Sequence, residues 1–160
     1  MTVLALDSPR WRELAQAHGS AEDIPRLLDA LITTEDARGR TELWFGLWAT
    51  LCPDGRLHDA AYAAVPHVLS ITHEMGSAER GAAMHLAAEV ETLRHGGTAP
   101  PIPHDLVPAY AMAIESLPLL VAEMATVPWD AEMGQVMAAA LLAGKRQPLL
   151  ARTILTLGAE

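Results

Sequence analysis

Prolines 25, 66, 108 and 148 recur about every forty residues, and the first two open closely similar segments. Ile24-Pro25-Arg26-Leu27-Leu28 is echoed by Val65-Pro66-His67-Val68-Leu69, while Val107-Pro108-Ala109-Tyr110 and Gln147-Pro148-Leu149-Leu150 are looser copies. A period of this length is what stacked helix pairs leave in a sequence, because each pair exposes an apolar face that only its neighbour covers. Composition agrees. The chain is 51% hydrophobic and only 4% aromatic, with alanine, leucine and methionine carrying much of the apolar share. Helix formers therefore dominate, and the β-branched and aromatic residues that favour strands are thin.

The spacing predicts one all-α domain over residues 1–160, an α-α superhelix of about four antiparallel helix pairs with about seven to nine helices. Ser8-Pro9 starts a first helix that carries Trp11, Leu14 and Ala15 and stops at Gly19. Ile24, Leu27, Leu28 and Leu31 form the stripe of the next. Asp36 recaps the chain, and the following helix turns Leu43, Trp44, Leu47, Trp48 and Leu51 inward up to the Cys52-Pro53-Asp54-Gly55 turn. Gly39 and Gly46 on that helix are expected to admit a close neighbour. Asp59 is expected to cap the helix of Tyr62 and Val65, with Pro66 kinking it or beginning another. A helix over 78–95 buries Met84, Leu86, Val90 and Leu93. The Gly96–Pro103 stretch reads as a surface loop. Asp105 caps a helix interrupted near Pro118, Asp130 starts one through Leu142, and Pro148 begins a last one ended by Gly158.

Charge narrows the function classes. The net charge is −9, and between His95 and Gly144 there is no lysine or arginine, while Asp105, Glu115, Glu123, Asp130 and Glu132 all fall there. Nucleic-acid binding needs a basic footprint to displace counterions, and this half of the chain offers the opposite. A basic protein would be steered toward it. Trp44 and Trp48 share a helix face, and tryptophan is enriched in interface hot spots. With Glu42, Asp59 and Tyr62 near the start of the next unit, they form a candidate partner-binding rim. Glu115, Glu123, Asp130 and Glu132 supply its acidic continuation.

Catalytic and cofactor signals do not emerge. His73-Glu74 lacks the second histidine of a zinc helix, His67 and His73 fall on different faces, and His85 with Glu89 gives only two ligands. Glu89 and Glu91 are two apart and cannot face each other on a helix. Phosphate-loop, nucleophile-elbow and dinucleotide glycine patterns are missing. Cys52, the single cysteine, reads as a small buried hydrophobe, with His58 the nearest base in sequence. The expectation is a non-catalytic protein with no metal and no cofactor. The start of the chain has no basic, apolar leader pattern, and the apolar run 106–128 carries Glu115, Glu123 and three prolines. The chain therefore reads as a cytoplasmic protein.

The first two units resemble HEAT repeats. The matching residues are Pro25-Arg26-Leu27-Leu28 with Asp36 and Arg38, then Pro66-His67-Val68-Leu69 with Glu79 and Arg80. The resemblance covers residues 20–95. In the divergent half, 104–160, Val121 stands where the arginine would fall. Gly19-Ser20-Ala21-Glu22-Asp23-Ile24-Pro25, Leu47-Trp48 and Ala60-Ala61-Tyr62-Ala63-Ala64-Val65-Pro66 also look like a group of small bacterial HEAT-like proteins, some of which look like immunity proteins of toxin systems. That likeness implies an inhibitor that masks a basic partner protein. Its alternative is a scaffold subunit or homodimer through the apolar helices around Leu119 to Met124. Some DNA glycosylases resemble HEAT-like stacks too, but they need a basic concave face, which the charge here opposes.

Overall fold

The computed structural model describes residues 2–157, and among these the chain is all-α, with one two-stranded exception near its start. The helices are α1 (Ile24–Thr33), α2 (Ala37–Leu51), α3 (Ala60–Ser70), α4 (Ser77–Arg94), α5 (Val107–Glu123), α6 (Ala131–Gly144) and α7 (Pro148–Thr156). Each of the four periodic prolines lies on an odd-numbered helix. Pro25, Pro108 and Pro148 occupy the first turn, where a missing N–H costs nothing. Pro66 is the departure: it lies inside α3 and begins no new helix.

Among the odd helices, α3 packs on both α1 and α5; among the even ones, α4 packs on α6. The pairs α1–α2, α3–α4 and α5–α6 join the two sets. Packing on three sides explains α3, in which Ala60, Ala61, Tyr62, Ala63, Ala64, Val65 and Val68 are all buried. Alanine lets its neighbours approach closely, and Tyr62 fills the remaining space against Tyr110, edge to face at 5.1 Å. Leu47 and Leu51 of α2 are fully buried, each stabilising the fold by ~1.5–3 kcal/mol. Helix α7 keeps the proline spacing but packs mainly on α6 and α4. Gln135 Nε2 holds its end by donating to the Ile154 and Leu157 carbonyls. Gly158, the expected terminator, lies outside the described residues. None of the described helices is long and apolar enough to cross a membrane.

Several local expectations are corrected. Residues 8–19 do not form an α-helix. Ser8 caps a short 3-10 turn (Pro9–Glu13), after which β1 (Ala15–Gln16) pairs antiparallel with β2 (Gly19–Ser20). The switch is made by tertiary bonds that an α-helix would forbid. Asp59 Oδ1 accepts from the Ala15 N–H at 2.6 Å, and the Ala17 N–H donates to the Thr50 carbonyl. Trp11 and Leu14 still reach the core. Asp59 is thus committed to the hairpin and makes no side-chain cap on α3. Asp105 likewise does not cap α5; it takes a two-pronged bond from Arg10 at 2.9 and 3.2 Å.

Helix α5 runs unbroken through Pro118. The proline ring has no N–H for the Ile114 carbonyl, and Gly144 of α6 lies against both. A Cβ at Gly144 would strike the ring. The close approaches between helices are therefore here and at Gly81, where a Cβ would come within 2.7 Å of Met133. Nothing lies near a Cβ at Gly46, and Gly39 meets only Thr34 and Asp36 in the turn before its helix. The arginine correspondence also shifts. Arg80 bonds back to the Met75 and His73 carbonyls, but Arg38 is exposed on α2, where it meets Glu42. The counterpart of Arg80 is Arg40, which donates to the Thr34 and Glu35 carbonyls and to Glu79 of α4 at 2.5 Å.

Candidate functional site: the groove between the first turns of α4 and α6

The Gly81–Met133 contact sets two helix starts side by side. Between them opens a cavity of about 280 Å³, with Ala78, Gly81, Ala82 and His85 from α4 and Asp130, Glu132, Met133 and Val136 from α6. Small residues on α4 make the floor, and at Gly81 any side chain would displace Met133. Asp130 Oδ1 caps α6 by accepting from the Met133 N–H at 2.8 Å, and this bond fixes the carboxylate at the rim. Glu132 follows in the first turn, where its charge suits the helix dipole. No lysine or arginine of the described residues pairs with either.

Trp48 of α2 contacts one of these residues without lining the groove itself. Its indole meets the His85 imidazole edge-on at 5.0 Å. Burial pushes His85 below its ordinary pKa, with the Glu132 charge opposing, so the ring is neutral at neutral pH and packs as an aromatic. The result is an aromatic pair beside two carboxylates left to solvent.

The other predicted rim residues are dispersed. Trp44 is buried, and its indole N–H finds no acceptor among the described residues. Tyr62 is fully buried and donates to the Pro100 carbonyl at 2.7 Å, pinning the 95–106 loop. Asp59 serves the hairpin, and Glu42 pairs with Arg38 at 3.4 Å. Glu115 receives Arg146 at 2.8 Å on another side of α5, and Glu123 stands 3.6 Å from His73. Only Trp48, Asp130 and Glu132 come together, through His85. Of the acidic residues named with that rim, Glu115 and Glu123 have their own neighbours in Arg146 and His73, and Asp130 and Glu132 share the groove.

A second cluster escaped sequence reasoning. Glu91 is only 5% exposed and accepts four bonds: Arg94 Nε at 2.9 Å, Arg94 Nη2 at 2.7 Å, Tyr110 Oη at 2.8 Å, and a His95 Nε2 contact at 3.2 Å. Burial first, and then the Glu91 charge, raise Tyr110 far above its ordinary pKa, keeping it the donor. The Glu91-Arg94-His95 spacing at i, i+3 and i+4 was a legible signal. Tyr110, across a loop, was not. Cys52 is buried, its thiol pushed up to about 12 by desolvation and then by Glu89, so it is a poor nucleophile at neutral pH. No group of three or more potential metal ligands is gathered among the described residues.

No protein-family model, curated protein or solved structure matches this chain.

Proposed function

We propose that this chain is a non-catalytic protein-binding module, an immunity-like inhibitor that takes a basic partner at the α4–α6 groove. The observation that carries the reading is the unpaired rim of Asp130 and Glu132 over a small-residue floor, beside His85 and the Trp48 ring that packs on it. A lysine or arginine side chain fits that chemistry. Its methylenes would lie on Gly81, Ala82 and Met133 while its charged head meets the carboxylates. Trp48 would supply the rigid aromatic anchor typical of binding hot spots. The periodic helix pairs, with their resemblance to HEAT repeats, supply a surface for a macromolecular partner.

Cross-linking in native lysate, followed by mass spectrometry, tests this with the wild type and an Asp130→Asn/Glu132→Gln double variant. The expected partner is a basic protein, lost or weakened by about tenfold or more in the double variant, with affinity that falls as salt rises. Unchanged capture by the double variant, or a partner that is not basic, removes the reading.

One observation favours a second reading, a homodimer or scaffold subunit. On the α3–α5 side, Met112 and Leu119 are 50% and 66% exposed beside an apolar hollow lined by Pro66, Leu69, Ala109 and Ala113. Met124, in contrast, is buried and unavailable. Light scattering on the wild type and Leu119→Asp separates this from a monomeric inhibitor.

A further inference from the structure

A cavity of about 350 Å³ lies where the ends of α4 and α6 meet the starts of α5 and α7. It lies toward the opposite ends of α4 and α6 from the acidic groove and differs from it in kind. Most of its wall is apolar, built by Ile102, Val107, Ala111, Ile114, Ala143 and Pro148. At one side stand Glu91, Arg94, His95 and Tyr110, and at the mouth stand Glu115 and Arg146. Its size falls within the range of small-molecule sites, and its lining has their usual form, an apolar body with a few polar groups that fix orientation.

The hydrogen-bond bookkeeping decides what the polar groups can recognise. The Glu91 carboxylate already meets four donor atoms and has nothing further to accept. Tyr110 has spent its only proton on Glu91. Arg94 is different. Its Nε and Nη2 hold Glu91, but Nη1 has no partner among the described residues, and the side chain is 30% exposed. Arg146, exposed at the mouth, gives only Nη2 to Glu115. On the inner wall Arg94 therefore has donors to spare while the Glu91 carboxylate is filled; the one carboxylate with free acceptor capacity, Glu115, stands at the mouth beside Arg146. Glu91 also keeps the Arg94 guanidinium fixed in place, so the site is organised before anything binds. Arg146 itself sits at φ 60, a conformation non-glycine residues rarely adopt, with its side chain directed to the Glu115 carboxylate.

We infer that this cavity binds a small organic acid, with the carboxylate on Arg94 and the aliphatic body against Ile102, Val107, Ala111 and Ile114. The ligand is an acceptor because the wall has donors to give, and it is largely apolar because the rest of the wall is. This site is independent of the proposed partner groove.

Octanoate is the probe, and titration calorimetry is the measurement. Octanoate should bind with a Kd of about 1 mM or tighter, as ordinary ligand efficiency predicts for a molecule of that size. Octanol, which has the same chain without the carboxylate, should bind about tenfold more weakly or worse. Arg94→Gln should reduce octanoate affinity by a similar factor. Because that change strips Glu91 of its main partner and can unfold the chain, a second variant guards the test. Ala111 is exposed, and Ala111→Phe fills the cavity without touching the core, so the octanoate heat should disappear in a folded protein. Octanol binding as well as octanoate, or an unchanged Kd in Ala111→Phe, overturns the site. If a peptide with an apolar C-terminal residue binds through its free carboxylate and octanoate does not, the small-molecule assignment also falls.

Discussion

Glu91 and Glu132 lie on two helices packed against each other, α4 and α6, and their surroundings are opposite. Glu91 is buried and meets Arg94, Tyr110 and His95; Glu132 is exposed and meets no cation of the described residues. A buried carboxylate without partners would cost several kcal/mol, so the fold satisfies it completely. An exposed carboxylate is solvated by water, so the fold can leave it unpaired and available. The same residue type thus anchors the structure in one place and is left for recognition in the other. Counting acidic residues along the chain cannot separate these roles, because the difference lies in what the tertiary structure puts around each one.

The comparison can be broken experimentally. The largest expected effect belongs to Glu91→Ala, which takes its main partner from the part-exposed Arg94 and orphans the buried Tyr110 hydroxyl; it should cost about 2–3 kcal/mol in urea unfolding. A loss below about 1 kcal/mol would mean that the network contributes little to holding α4 against α5. The middle effect sharpens the other side. Asp130→Ala removes the α6 cap and should cost about 1 kcal/mol, while Glu132→Gln should stay within about 0.5 kcal/mol of wild type. Only partner binding should respond to Glu132→Gln. If stability falls as much for Glu132→Gln as for Asp130→Ala, the exposed carboxylate is part of the fold after all.

The smallest effect is a pH dependence near neutrality. Burial holds His67 below its ordinary value of 6.5, opposed by its 2.7 Å contact with the Leu4 carbonyl, and burial does the same to His85. The unfolded chain therefore takes up these protons at higher pH than the folded one. The stability that these rings contribute is fully present above pH 6.5 and declines as the pH falls through 6.5 toward the lower folded values. Thermal unfolding from about pH 7.5 down to about pH 5 should show Tm falling, with a shallower slope in His67→Gln. Asp105 responds in a separate window. The Arg10 bond holds its carboxyl below 3.8, so the stability it contributes is lost only at more acid pH. An unchanged slope in His67→Gln would take His67 out of this account and leave the acid sensitivity to His85 or to carboxylates.

The sequence was most informative where local chemistry makes the structure. Helix α2 begins after Asp36, whose side chain accepts from the Gly39 N–H, and ends at a Cys-Pro-Asp-Gly turn with Asp54 and Gly55 both at positive φ. Those signals need no distant partner. Helix α6 begins after Asp130 for the same reason. Reading failed where a distant group competes for a local one. Asp59 and Asp105 sit at good cap positions, yet the Ala15 N–H and the Arg10 guanidinium claim their side chains. Pro118 reads as a helix break, yet packing against Gly144 carries α5 through it. Of the site, Trp48, Asp130 and Glu132 were legible as residue types, but their meeting through His85 was not. Trp44 and Trp48 look equivalent at i, i+4, and only the packing of the other helices buries one and places the other against His85.

Composition, capping residues and the proline period were enough to determine an all-α class, the starts of α2 and α6, and four helices marked by the proline spacing. These depend on backbone propensities and on hydrogen bonds within a few residues, which are local properties of the chain. Tertiary structure alone decided that residues 15–20 form a hairpin, that α7 turns onto α6 and α4, and that Glu91 is buried while Glu132 is not. Each of those outcomes is set by partners tens of residues away, whose distance from the side chain in question is written nowhere in the local sequence.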